Sequence, residues 1–232
     1  MKLGIFTDSH YSTAELTDGN RFNNQSLRKI KAAMEFFEKE QCDLVISLGD
    51  LIDHEASHTQ EIQNLREIAD VFAASSVRVI AVMGNHDGFS FEVNEFYEIL
   101  GEASRPIDIA MEGKHLVFLD TCYFKSGAHY MPGDTDWTDT FYPHADALKE
   151  KLSTLKGDIF LFMHQNIDPF TPENHQVANG SQIREILTSA GNVKGVFQGH
   201  YHLGKETELD SISYTSFRAM CQYEDAYWTI EL

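Results

Sequence analysis

The chain has 232 residues, 42% hydrophobic and 23% charged, proportions of an ordinary globular protein that exclude extended disorder and collagen-like structure. Eighteen Lys and Arg stand against 36 Asp and Glu, giving a net charge of −18. Such a field opposes docking on a nucleic-acid backbone or an anionic membrane, so phosphate chemistry here needs a local positive charge that the side chains as a whole do not supply.

Residues 3–6 are a short apolar run closing in Asp8-Ser9-His10, which reads as a buried strand followed by a loop. Residues 11–24 are polar and irregular, a surface excursion. Over residues 26–40, Leu27, Ile30, Ala33, Met34 and Phe37 recur at helical steps. Residues 44–48 make the next strand, closing at Gly49-Asp50. A second helix is expected over 59–74, with Ile62, Leu65, Ile68, Ala69 and Phe72 on one face. The third strand, 77–83, closes at Gly84-Asn85-His86-Asp87. Strands alternating with amphipathic helices imply parallel pairing through right-handed crossovers, with ligands gathering beyond the carboxyl ends of the strands.

Further strands are expected at 116–120, at 159–163 before His164, and at 193–197 before Gly199-His200, with helices near 144–155 and 182–190. Residues 211–217 and 227–230 read as antiparallel strands closing a second sheet. No repeat, low-complexity tract or linker interrupts the chain, so one domain over 1–232 is expected. Cys42, Cys122 and Cys221 are too few and too scattered for a disulfide framework or a thiolate metal cage and fit a reducing compartment. No apolar run reaches the ~18 residues of a membrane span, and no signal-peptide layout opens the chain. The expectation is a cytoplasmic protein with no membrane partner.

Eleven histidines stand out, several beside Asp, Asn and Gly. Strand ends carry Asp8 and His10, then Asp50, then Asn85 with His86 and Asp87, then His164, then His200 and His202. Each piece has a structural reading of its own: Asp50 as a helix cap, Gly84-Asn85 as a turn, His164 as a hydrogen-bonded core residue. Those readings do not explain why five strand ends would place ligand-type residues at one rim.

The blocks D-x-H (Asp8 to His10), G-D-x-x-D (Gly49 to Asp53), G-N-H-D (Gly84 to Asp87), a lone His164 and G-H-x-H (Gly199 to His202) resemble the calcineurin-like metallophosphoesterases. The resemblance implies an α/β fold, a two-layer β-sandwich of mixed sheets flanked by helices in αββα order, and a centre of two divalent metal ions. Asp8, His10, Asp50 and His202 would hold the first ion, and Asp50, Asn85, His164 and His200 the second, with Asp50 bridging. Imidazole and oxygen donors suit Mn, Fe or Zn. Two ions ~3.5–4 Å apart clamp the oxygens of an in-line phosphoryl displacement, and a hydroxide between them is the expected nucleophile. His86 is the expected catalytic group toward phosphate or leaving oxygen, and Asp87 is expected either to orient it or to cap a helix. Asp53 stands where the purple acid phosphatase branch carries a metal-binding tyrosine, and is read as holding a histidine through its free ring nitrogen.

His54 and His58 either line the cleft or begin a helix. His115 reads as structural; His129, His144 and His175 belong to no motif, and Asp120 reads as a structural carboxylate. Tyr11, Tyr130 and Trp137 lie in loops able to cap a nucleobase. The stretches 8–53 and 192–202 look like the branch of ADP-ribose/CDP-alcohol diphosphatases, and class III cyclic-nucleotide phosphodiesterases share much of the pattern. Hydrolysis of a phosphodiester or pyrophosphate bond in a small phosphorylated, nucleotide-like substrate is therefore expected, with no long nucleic acid as partner. A phosphomonoesterase is the alternative. A non-catalytic protein-binding scaffold would require lost ligands.

Overall fold

The computed structural model describes residues 1–134 and 140–232, so Trp137 lies outside the described residues. Strands β1 (Lys2–Phe6), β2 (Leu44–Ser47) and β3 (Val79–Ala81) pair in parallel, connected by helices α1 (Ser26–Lys39) and α2 (His58–Ala74). Helices α3 (Asn85–Ser90) and α4 (Val93–Leu100) follow. Strands β4 (Ile109–Met111), β5 (Lys114–Leu119), β6 (Asp158–Met163), β7 (Val193–Gln198), β8 (Leu203–Leu209) and β9 (Ile212–Arg218) form a second sheet in the order β4-β5-β6-β7-β9-β8. Helix α5 (Ala145–Thr154) precedes β6, and α6 (Gly180–Ala190) precedes β7. The last strand, β10 (Tyr227–Glu231), returns to the first sheet, antiparallel to β1.

Period-two alternation of the strands assembles the layers. Leu3, Ile5, Leu44, Ile46 and Ile80 of the first sheet pack against Leu116, Phe162, Phe197 and Phe217 of the second. The opposite faces take the helices. Phe6, Val45, Val79 and Ala81 meet Ile30, Phe37, Leu65 and Phe72. Val117, Leu119, Ile159, Leu161 and Val196 meet Leu148, Leu152, Ile183 and Leu187. The result is the αββα sandwich of mixed sheets. Gly4 is needed within β1, because a Cβ there would lie 2.6 Å from the Phe37 ring of α1. Truncating Phe37 to Ala should cost about 3–5 kcal/mol of stability, the usual range for a buried aromatic.

The two C-terminal strands do not pair with each other. β9 lies parallel to β7 and antiparallel to β8, whereas β10 completes the first sheet. Strand β8 is the partner missing from the sequence reading: Leu-Gly-Lys-Glu-Thr-Glu-Leu is charged and partly exposed, the chemistry of a sheet edge rather than of a core strand. Among the described residues, no helix is long and apolar enough to cross a membrane.

Candidate metal centre

The expected site residues all follow the carboxyl ends of strands. β1 leads to Asp8 and His10, β2 to Asp50, β3 to Asn85 and His86, β6 to His164, and β7 to His200 and His202. Asp8, His10, Asp50 and His200 have φ of 51°, 44°, 53° and 62°, left-handed conformations that cost L-residues energy and persist only where the surroundings impose them. Backbone bonds between loops impose them here: Asp8 N–H donates to Gly49 O at 3.0 Å, His10 N–H to Asp50 O at 2.9 Å, and Gly199 N–H to His164 O at 3.0 Å. The glycine of the G-D block has φ +104°, and a Cβ there would lie 2.7 Å from His164 Nδ1. The glycine of the G-H-x-H block would bring a Cβ to 2.8 Å from Asp8 Oδ2.

Donors and acceptors do not balance where these side chains meet. Asp8 Oδ2 accepts from Thr7 Oγ1 at 2.6 Å and from His200 N at 2.9 Å. Its other oxygen, Oδ1, is buried with no hydrogen-bond partner and lies 3.3 Å from His202 Nε2 and 3.6 Å from His10 Nε2. Asp50 Oδ1 accepts from His86 N at 2.8 Å, while Oδ2 lies 3.5 Å from His10 Nε2 and 3.1 Å from His164 Nε2. His164 Nδ1 donates to Leu48 O at 2.7 Å, so in the neutral ring Nε2 presents a lone pair toward Asp50 Oδ2 and, at 3.2 Å, toward Asn85 Oδ1. Gln165 Nε2 donates to Asn85 Oδ1 at 3.0 Å and holds that amide oxygen inward. Buried oxygens and imidazole nitrogens that converge this way repel unless a proton or a metal cation lies among them, and the donor set fits divalent metal ions. His10, Asp50 and His86, and likewise Asp50, His164 and His200, place their ligand atoms within 4.8 Å of one another.

Electrostatics prepares the same state. Burial opposes ionisation of Asp8 and Asp50, yet the surrounding histidines hold both carboxyls far below the usual range. Burial, reinforced by His86, pushes His10 down to about 4. Burial and His164 push His200 well below the ordinary value. His164 goes the other way: burial disfavours its charge, but Asp50 lifts it to about 9, so a cation bound there has to displace the Nε2 proton that otherwise bridges to Asp50. Cys221 also lies within 4.8 Å of His10 and His202. Burial pushes its thiol far up, so it stays S–H at neutral pH rather than serving as a thiolate.

His86 sits at the rim, its ring edge-on to His10 with centroids 4.5 Å apart. Its Nδ1 lies 2.9 Å from Asp53 Oδ1. Burial works against its charge, but Asp50 and Asp53 raise its pKa above the ordinary value. Asp87, the residue expected to orient His86 or to cap a helix, takes the second position. It is the third residue of α3, and its side chain turns back on the helix start. Oδ2 accepts from Gly84 N at 2.9 Å, and Oδ1 accepts from Leu51 N at 2.9 Å and Ile52 N at 3.2 Å. The carboxylate that meets His86 is Asp53. Asp53 Oδ2 also accepts from Asn23 Nδ2 at 2.9 Å, which ties the excursion 11–24 to the centre.

A cleft of about 290 Å³ opens at Asp50, His86, His200 and His202, with Arg21 and His175 on its wall. No motif announces His175; hydrogen bonding of Asn166 N to His175 O at 3.1 Å brings its ring to 5.1 Å from that of His200. A larger groove of about 830 Å³ runs between α5 and α6 and is lined by none of the strand-end residues, so size alone does not mark the site. His54 and His58 pair with Glu61, and His129 pairs with Asp120 at 3.0 Å. Tyr11 donates to Glu67 Oε2 at 2.6 Å, and the buried Tyr130 donates to Asp134 O at 3.0 Å; neither lines the cleft.

Two curated relatives cover most of the chain. One from Fibrobacter succinogenes, named a probable cyclic nucleotide phosphodiesterase, is 21% identical over 217 residues, covering 90% of this chain and 76% of the relative. Another so named, from a Pseudoalteromonas species, is 24% identical over 239 residues, covering 97% and 84%. The fold resembles the crystal structure of a dimetal phosphatase from Danio rerio with TM-score 0.83 at 17% identity, covering 100% of this chain and 92% of that one. Residues 1–204 match the calcineurin-like phosphoesterase family. The chain belongs to that family and is a metal-dependent phosphoric ester hydrolase.

Proposed function

From membership of the calcineurin-like phosphoesterase family, we propose that the chain hydrolyses a phosphodiester or pyrophosphate bond in a small nucleotide-type molecule. Asp8, His10, Asp50, Asn85, His164, His200 and His202 would hold two divalent cations, Mn, Fe or Zn. One observation carries the reading: Asp50 Oδ2 lies 3.5 Å from His10 Nε2, a ligand of the proposed first ion, and 3.1 Å from His164 Nε2, a ligand of the proposed second. A single carboxylate oxygen shared by two ligand groups is what a bridge requires.

When bound, the cations supply Lewis acidity toward the phosphoryl group and the attacking water. The chain supplies the rest. Asp8 and Asp50 bring only two negative charges to two dications, so the centre stays positive and draws phosphate into a protein of net charge −18. Asp53 accepts from His86 Nδ1 and so aims Nε2 away from itself, ready to donate to a phosphoryl or leaving oxygen. Asp87 fixes the start of α3, and with it the placement of Asn85 and His86.

Substrate size follows from the cleft, whose 290 Å³ falls just below the roughly 300–1,000 Å³ of ligand pockets. The acidic surface disfavours a polymer. The names of the two relatives support a diester. The test is a panel assay of the Mn²⁺-replete protein on bis(p-nitrophenyl) phosphate, cyclic nucleotides, nucleotide diphosphate compounds and p-nitrophenyl phosphate. Diesters or pyrophosphates should exceed the monoester in kcat/KM by about tenfold or more, a margin of ~1.4 kcal/mol in transition-state binding. The reverse order would assign a phosphomonoesterase.

A further inference from the structure

Helix α3 carries more than Asn85. His86 and Phe89 are three residues apart on it and so share a face. His86 lines the cleft described above and also a second cavity of about 200 Å³, whose other walls are Asp53, His54 and Phe89. The rings of His54 and Phe89 meet edge to face, with centroids 5.0 Å apart and planes at 89°. Both are anchored. His54 Nδ1 lies 2.8 Å from Glu61 Oε1, and its backbone N–H donates to Asp53 Oδ1 at 2.9 Å. The Phe89 carbonyl accepts from Gly133 N at 3.0 Å. Phe89 is only half-buried and belongs to none of the three apolar clusters of the described residues, so the core does not account for its ring.

We propose that Phe89 and His54 form a stacking subsite for one flat aromatic ring, a nucleobase, carried on an ester arm of a substrate whose phosphorus lies at the metal centre. The proposal rests on the phosphoesterase reading above and specifies the arm. At about 200 Å³, the cavity is smaller than the roughly 300–1,000 Å³ that holds a whole ligand, so it accepts one ring of a larger molecule. Its sole carboxylate, Asp53, is already engaged by His86 and by the His54 backbone. Beyond the Nε2 atoms of His54 and His86, no side-chain group of the cavity is left to read the polar edge of a base. Stacking uses the π-face that every base has, so purines and pyrimidines should both enter.

The experiment compares competitive inhibition constants for AMP, CMP, ribose 5-phosphate and phosphocholine on the Mn²⁺-loaded protein, assayed with whichever p-nitrophenyl ester it turns over fastest. Wild type should bind AMP and CMP about tenfold more tightly than ribose 5-phosphate, the scale of one base–aromatic stack. Phe89→Ala should erase that preference while the constant for ribose 5-phosphate stays within twofold of wild type, which also reports an intact centre. Phe89→Tyr should retain the preference. Equal binding of AMP and ribose 5-phosphate in wild type, a preference that survives Phe89→Ala, or tighter binding of phosphocholine than of AMP would each overturn the subsite. Failure of the diester reading would appear differently, as faster turnover of the monoester with the base preference intact.

Discussion

Among the described residues, the histidine–carboxylate cluster at the start of α2 and the one at the strand ends differ in how their polar atoms are matched. At the start of α2, His54 Nδ1 meets Glu61 Oε1 at 2.8 Å, His58 Nδ1 meets Glu61 Oε2 at 3.1 Å, and His58 Nε2 meets Glu95 Oε1 at 2.9 Å. Every one of these contacts sets a nitrogen against an oxygen, and the His54 and His58 side chains are 62% and 45% exposed. At the strand ends, His10 and His164 are fully buried, Asp8 Oδ1 has no hydrogen-bond partner, and the oxygens of Asp50 and Asn85 converge on the one nitrogen His164 Nε2. Water can relieve a mismatch at the first cluster but not at the second, where an unmatched acceptor is costly. Proximity of His and Asp therefore does not identify a metal centre; a buried excess of lone pairs does.

Substitutions in the two clusters sharpen that contrast. The largest effect is expected for Asp50→Asn, which removes the shared charge. Metal content should fall, and turnover should drop by more than the roughly 10–100-fold typical of residues one step behind a metal ligand. Next comes His86→Ala, which should slow turnover by about 10²–10⁴-fold, the range for a lost general acid, while metal content stays at wild-type level. Gln222→Ala is smaller. The Gln222 side-chain amide lies 2.9 Å from His202 Nδ1, and with its oxygen turned to the ring it accepts the Nδ1 proton and leaves Nε2 for a cation, so its loss should weaken metal affinity by ~10-fold, read in a manganese titration.

At the other cluster, His58→Ala should leave metal content and turnover unchanged and cost stability by about 0–1 kcal/mol, less in high salt. Its pH dependence has a definite sign. Hydrogen bonding to Glu95, opposed by partial burial and helped by Glu61, raises the pKa of His58. The stabilisation is complete below the ordinary histidine value of about 6.5 and fades as pH rises through the folded-state value. The gap in Tm between wild type and His58→Ala should thus be wider near about pH 5.5 than near about pH 8.5. A gap that widens with pH would reverse the assignment.

The same contrast explains what could be read from the residues alone. Strands β1, β2, β3, β6 and β7 are short apolar runs, each ending in a polar block, so their order and the rim they share were legible. Sheet membership at the C-terminus was not. Whether residues 227–230 pair with 211–217 or with β1 depends on β8, whose charged edge sequence resembles a loop. Within the centre, both Asp53 and Asp87 stand in motifs. Which one reaches His86 depends on α3 beginning at Asn85, which turns Asp87 back onto Gly84. His175 and Phe89 carry no motif. One arrives through backbone pairing with Asn166, and the other through a helix of six residues, too short to show a period.

The proposed centre is a buried site for two cations sharing Asp50. Its most direct measurement is metal stoichiometry: equilibrium dialysis against Mn²⁺ followed by elemental analysis, on wild type and on Asp50→Asn with circular dichroism confirming the fold. Wild type should retain two equivalents per chain and the variant fewer. A wild-type chain that binds none, or a folded variant that still holds two as tightly, would contradict it.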